Sequence, residues 1–165
     1  MENQFIYRQE RQKSLGITGV AGMRFVFCSN AFSLLKIIYL LLPVLHAGPL
    51  LKLMAKLFTP SRMFYCVVLQ NRLAGYGHVT VSRCRHYSIE NGAVVIGPVW
   101  TREECRGKGV ATFGLQNSMN ALISKGTRIF YIDTAENNIA MQHVVAKCGF
   151  GESVERLART KGRFV

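Results

Sequence analysis

CRGKGVATFGLQ, residues 105–116, sets two glycines and two cations directly ahead of an apolar run. Glycine is a poor helix former, valued where a backbone must turn left-handed or approach another group closely. Downstream, Ala111, Leu115, Met119, Leu122 and Ile123 recur at helical spacing until Gly126 ends the run. A basic, glycine-broken turn that opens a helix suits an anion, because its backbone N–H groups and the positive end of the helix dipole point outward. Two nucleotide cradles do not fit. A dinucleotide fingerprint, G-x-G-x-x-G, needs glycine where Thr112 stands, and no acidic residue follows a strand at the expected distance. A P-loop needs four residues between its first glycine and G-K-[ST], and RGKGVA has neither that spacing nor a hydroxyl after the lysine. The bland alternative is an ordinary glycine-rich loop before a helix.

Around this turn the chain alternates between strand and helix patterns. Residues 1–21 are polar with scattered glycines and read as a loose N-terminal arm. MRFVFCS (23–29) reads as a first strand, a helical pair spans about 31–58 with its joint at PVLHAGP, and Pro60 ends it. MFYCVVL (63–69), the turn QNRL and AGYGHVTVS form a hairpin. In its second strand Val79 and Val81 face one way and Tyr76, His78 and Thr80 the other, the alternation of a one-sided antiparallel strand. GAVVIGPVWT (92–101) is a near-continuous apolar run, hence a central strand, but Pro98 cannot donate to a ladder, so pairing must break or bulge there. RIFYIDT (128–134) is a further buried strand. NNIAMQHVVAK is a second helix with Ala140, Met141, Val144 and Val145 inward, and GFGESVERL and the terminal RFV supply the last strands. The order predicts an α+β layered fold on a mixed sheet.

Arg106-x-x-Gly109-x-Ala111 resembles the acetyl-CoA signature R/Q-x-x-G-x-G/A of the GNAT acetyltransferase superfamily. Two flanking features strengthen the likeness. IGPVWT lies where that family has a bulged strand whose exposed backbone pairs with pantetheine. NIAMQHVVAKCGF (138–150) is similar to its second motif, an Asn-opened helix ending in K-x-G-F, through Asn138, Lys147, Gly149 and Phe150. The resemblance covers about residues 92–153 well and the earlier strands loosely. It implies one domain over 1–165, built on a mixed, mostly antiparallel sheet of six to seven strands with about four flanking helices. It also implies acetyl transfer from acetyl-CoA directly to a primary amine, with no metal.

By the same resemblance, Val99, Trp100 and Thr101 would contact pantetheine and the thioester oxygen. Arg106, Gly107, Lys108, Gly109, Val110 and Ala111 would hold the pyrophosphate, with Lys147 a further cofactor contact. Asn138 would bond the pantetheine arm or a nearby water, and a helix cap is compatible with that. The family often has a tyrosine seven residues after this Asn to protonate the leaving thiolate; here Val145 stands there. A CoA thiol has a low enough pKa to leave as thiolate at modest cost, so activity survives the change. Asp133, at the end of its buried strand, and His78, with a suitable intrinsic pKa, lead as general base, each against a structural alternative. Glu103 and Glu104 read as solvated charges, Glu90 as a turn residue, and Trp100 as a candidate for the acceptor pocket or the core.

Composition bounds the partners. The 165 residues are 49% apolar with 10 Phe, enough for a packed core. Twenty-one Lys and Arg against 9 Asp and Glu give a net charge of +12, which favours anionic acceptors such as a sugar nucleotide, an acyl carrier protein or a phosphorylated metabolite. The cations form no block of the kind that marks a nucleic-acid tail, and no nucleic-acid partner is expected. Cys28, Cys66, Cys84, Cys105 and Cys148 form no CxxC pair and read as reduced thiols, which fits a cytoplasmic protein, and MENQFIYRQE does not resemble a signal peptide. Residues 34–58 are greasy but broken by Lys36, Pro43, His46, Pro49, Lys52 and Lys56, too early for a spanning helix. They read as core helices, or as a cationic surface for weak membrane contact. A small-molecule acceptor such as an amino sugar is favoured. The alternatives are a protein or peptide acceptor, a non-catalytic CoA-binding module, and a homodimer of any of these.

Overall fold

A computed structural model describes residues 2–160 and 163–164. The strands are β1 (Glu2–Glu10), β2 (Met23–Cys28), β3 (Arg62–Leu69), β4 (Arg72–Val81), β5 (Val94–Thr101), β6 (Ile129–Ala135), β7 (Glu155–Thr160) and a two-residue β8 (Arg163–Phe164). The helices are α1 (Ala31–Leu35), α2 (Ile38–Leu45), α3 (Ala47–Leu57), α4 (Val110–Ile123) and α5 (Ile139–Lys147). One mixed sheet takes the order β2-β3-β4-β5-β6-β1-β7-β8. Every pairing is antiparallel except β5 with β6.

The first ten residues correct the expectation of a loose arm. Residues 2–10 form β1, inserted between β6 and β7, with Ile6 opposite both Asp133 and Glu155. Alternating Gln4, Ile6 and Arg8 against Phe5 and Tyr7 gave too few apolar residues to read as an inner strand, but both edges of β1 find ladders. Residues 11–22 then run as a strap over α4. Leu15 exchanges hydrogen bonds with the Asn120 side chain at 2.7 and 3.0 Å, and Thr18 N–H donates to Gln116 Oε1 at 2.8 Å. This strap explains why α4 buries Gln116 along with its apolar face.

The expected helical pair is three helices. Asn30 caps α1 with a reciprocal capping box, and the α2–α3 joint falls at His46, whose φ is +42°. Helix α3 buries Leu50, Leu53 and Leu57 at helical spacing. Together α1–α3 cover one face of β3 and β4, so β4 is not one-sided: Tyr76 packs into that apolar cluster. Helices α4 and α5 cover the opposite face, over Val79, Val94, Ile96, Phe130 and Ile132. The β3–β4 hairpin turns on Gln70 and Asn71, both left-handed, as a type I′ turn requires. On α5, Val145 points inward as read from the sequence, whereas Ala140 is exposed; Cys148, the C-cap, is buried as well.

Candidate active site

Two irregularities in β5 create the site. Gly77 pairs with Val99 while Val79 pairs with Ile96, so Gly97 and Pro98 together face His78 alone: a β-bulge, where the sequence placed one, with a cis Gly97–Pro98 peptide. On its other edge β5 pairs with β6 only at Val94–Phe130 and Val95–Tyr131. Beyond Val95 the two parallel strands separate. The gap opens a cleft of about 1010 Å³, lined by Val95–Val99 on one side and Ile132–Ala135 on the other. Asn138 and Met141 border it at the start of α5, and Lys56, Arg62 and residues 83–86 on the opposite face.

At the far end of β5 the chain passes through a one-turn 3-10 helix, Glu103–Cys105, into the opening motif. Gly107 and Gly109 are left-handed, with φ of +74° and +77°, and Gly109 is the N-cap of α4 without any side-chain cap. The N–H groups of Val110, Ala111 and Thr112 have no intrahelical acceptor by construction. A Cβ built on either glycine meets no atom within 4 Å, so the turn presents bare backbone to open space. Arg106 and Lys108 are exposed beside it. This arrangement fits a pyrophosphate. Val110 itself is buried and Ala111 only half-buried, the reverse of a helix whose inward stripe starts at Ala111.

The remaining sequence candidates fall into three groups. Asp133 and Asn138 come together on the cleft. Tyr87 Oη donates to Asp133 Oδ1 at 3.2 Å, and burial together with that carboxylate raises the Tyr87 pKa strongly, so the phenol stays protonated. Asn138 accepts from Met141 N–H at 3.2 Å, capping α5 from the cleft's edge. Val99 lines the cleft, but the Trp100 ring stacks on Tyr76 at 5.1 Å and belongs to the α1–α3 cluster, away from the cleft. Thr101, opposite Gly75, follows it beyond the cleft lining.

His78 and Lys147 stand apart. His78 is wedged edge-on between Phe64 and Tyr76, outside the cleft lining. Burial, with Lys56 and Arg62 adding like charge, pushes its imidazole down to about 4, so it is neutral and weakly basic near pH 7. Lys147 is exposed in the last turn of α5, a position that favours the helix dipole. Val145 is fully buried in the core, and its side chain offers no proton.

Sequence reasoning missed the cleft's cations. RCRHY (83–87) carried no functional reading, yet Arg83, Cys84, Arg85 and His86 line the cleft and Tyr87 bonds Asp133. Glu90, read as a turn charge, accepts from Arg8 Nε at 2.8 Å and also bonds the Tyr131 hydroxyl. All five cysteines are free thiols; burial pushes those of Cys28, Cys66 and Cys148 up to about 11, 12 and 12. Among the described residues no group of three or more His, Cys, Asp or Glu is placed to hold a metal ion, and no helix is long and apolar enough to cross a membrane.

The model of the Acetyltransferase (GNAT) family matches residues 37–150, more than two thirds of the chain. The chain belongs to the GNAT acetyltransferase family. Solved structures share the GNAT fold at low identity. Aminoglycoside antibiotic 6'-N-acetyltransferase AAC(6')-Ih from Acinetobacter baumannii is 16% identical with a TM-score of 0.61, over 85% of this chain and 97% of that one. AAC(6')-Iy, solved with the bisubstrate analog CoA-S-monomethyl-acetylneamine, is 19% identical with a TM-score of 0.63, over 84% and 97%. A GNAT-family acetyltransferase from Colwellia psychrerythraea is 15% identical with a TM-score of 0.58, over 92% of this chain; the chain spans about half of that protein's length, 53%. No curated protein matches the sequence. In this chain the separated parallel pair is β5–β6, and residues 102–109 join β5 to α4.

Proposed function

We propose that this GNAT protein transfers an acetyl group from acetyl-CoA to the primary amine of a small molecule. One observation carries the reading: β5 leaves β6 after Val95, and the same strand leads into an uncapped, left-handed glycine turn at the start of α4. The turn's N–H groups, with Arg106 and Lys108, would hold the pyrophosphate. Backbone groups of β5 from Gly97 to Val99, left without a strand partner on the β6 side, would meet the pantetheine arm and the thioester oxygen. Bound acetyl-CoA supplies an activated thioester. Asp133 takes the proton from the attacking amine as the C–N bond forms and the C–S bond breaks, and the thiolate draws its proton from solvent. Neutral, wedged His78 does not serve as that base, and Asn138 orients rather than transfers protons.

An amino sugar or sugar nucleotide is the favoured acceptor, a reading to which the aminoglycoside acetyltransferases of like fold lend support. A peptide acceptor is the alternative. Free thiols suit a reducing compartment, and a cytoplasmic location belongs to the same reading. The test is CoA thiol release from acetyl-CoA against pooled amino sugars, amines and peptides. Turnover on one pool supports the proposal; tight CoA binding without turnover on any of them defeats it.

A second reading rests on the outer face of α1–α3. Phe32, Tyr39, Leu51 and Phe58 are 63–74% exposed there beside exposed Lys36 and Lys52, a pattern suited to weak contact with an anionic membrane surface. Co-sedimentation with anionic vesicles, compared between the parent and Leu51→Asp, tests it; equal, negligible pelleting removes it.

A further inference from the structure

We propose that the acceptor carries a phosphate group as well as its reacting amine, the phosphate held by Lys56, Arg62, Arg83 and Arg85 and the amine turned toward Asp133. The proposal rests on the acetyltransferase reading above and names its substrate class. The cleft lining holds these four permanent cations and one carboxylate, Asp133. That four-to-one ratio is well above the 21 to 9 of the whole chain, so the excess is local.

The cations come from two segments that the fold locks together. Lys56 lies in the last turn of α3 and Arg62 begins β3, while Arg83 and Arg85 lie in the β4–β5 connection. Arg62 pairs in register with Thr80, and Val81 N–H donates to Ser61 C=O at 2.8 Å, which brings both segments to one corner of the sheet. Among the described residues none of the four forms an ion pair, whereas Arg8, Arg102 and Arg156 each have a carboxylate within 4 Å. Four like charges gathered with a single carboxylate leave a positive excess that favours an anionic ligand. The same positive field acts on neighbouring His78, whose proton affinity Lys56 and Arg62 lower.

This charge is not placed for the donor's pyrophosphate. Lys56 and Arg62 belong to the α1–α3 side of the sheet, while the glycine turn opens α4 on the other side. It also argues against a polycationic acceptor, which would meet four like charges and a single carboxylate. A zwitterion meets both halves of the pattern. An aminated phosphate ester puts its ammonium by Asp133 and Tyr87, and its phosphate oxygens among forked guanidinium donors.

The test titrates two matched pairs, glucosamine 6-phosphate against glucosamine and phosphoethanolamine against ethanolamine, with kanamycin as a polycation. Calorimetry is run with and without saturating CoA, on the parent, on Arg83→Gln/Arg85→Gln and on Arg72→Gln, a cation in the remote β3–β4 turn. At least one phosphorylated amine is expected to bind about tenfold or more tighter than its neutral partner and than kanamycin. That preference falls to about twofold in the double variant, persists in Arg72→Gln and shrinks with added salt. No preference for either phosphorylated amine, tighter binding of kanamycin, or equal loss in Arg72→Gln overturns the proposal. Failure of CoA itself to bind defeats the acetyltransferase reading separately, because the CoA-free titrations still report on the cation site.

Discussion

Tyr87 donates its hydroxyl proton to Asp133 at 3.2 Å, tying the β4–β5 loop to β6 in the cleft. The bond orients the carboxylate that faces the gap between β5 and β6. Replacing Asp133 with Asn keeps the shape and removes the base, so kcat should fall about hundredfold or more while CoA affinity changes less than twofold. Tyr87→Phe removes one donor to the carboxylate and should lower kcat about tenfold. Steady-state rates with calorimetry for CoA check both, and an Asp133→Asn enzyme with parental kcat would assign the proton to another group.

Gly109 separates cofactor binding from folding. Its φ of +77° costs a residue with a Cβ about 1 kcal/mol, and the Cβ itself meets nothing. Gly109→Glu therefore folds, aided by an acid at a helix N-terminus, yet puts a negative charge in the proposed pyrophosphate cradle. CoA affinity should fall at least about hundredfold, against a loss of less than about tenfold in Gly109→Asn, which tolerates left-handed backbone. Equal affinity in the Glu variant and the parent would move the phosphate site elsewhere.

Tyr65 is clamped between two glycines. A Cβ on Gly77 would lie 2.4 Å from its ring and one on Gly114 2.7 Å away, so either alanine overpacks the core. The expected cost is about 1–3 kcal/mol, a fall in Tm of several degrees. Tyr65→Leu should recover part of the Gly77→Ala loss, a non-additivity that a thermal-melt cycle measures. The Tyr65 hydroxyl is buried without a partner among the described residues, so Tyr65→Phe should leave Tm unchanged or raise it by a few degrees. A clear fall in Tm would mean that the hydroxyl is bonded after all.

His78 makes folding stability depend on mildly acidic pH. The folded protein protonates it only near pH 4, the unfolded chain near 6.5. Between those values the unfolded state binds more protons, so stability is complete above about pH 6.5 and drains away as pH falls toward 4. The loss amounts to about 3 kcal/mol at most. Denaturant melts at pH 7 and pH 4.5 should show a smaller drop for His78→Phe than for the parent. Between pH 6 and 9 the same variant should keep the parent's pH–rate profile, and a lost limb near pH 6.5 would restore His78 as base.

Much of this protein was legible in its sequence because the signals are local. Helix α4, its glycine turn, the bulge at Gly97–Pro98 and the Asn138 cap depend on residues within a few positions of one another, and backbone stereochemistry reads them out directly. Strand β1 was not legible, since what makes it a strand is a pair of ladders to residues more than a hundred positions away. Trp100 shows the limit within a motif: its place in the chain suggested the ligand, and its stacking on Tyr76 assigned it to the core. The cation cluster shows the converse, with Lys56, Arg62, Arg83 and Arg85 unremarkable one at a time. The chain order by itself determined the glycine turn proposed as the donor's cradle, because turn and helix start are contiguous. Only the tertiary structure decided the cleft's cation cluster, because charge in a cleft is a sum over segments that share nothing but their place in the fold.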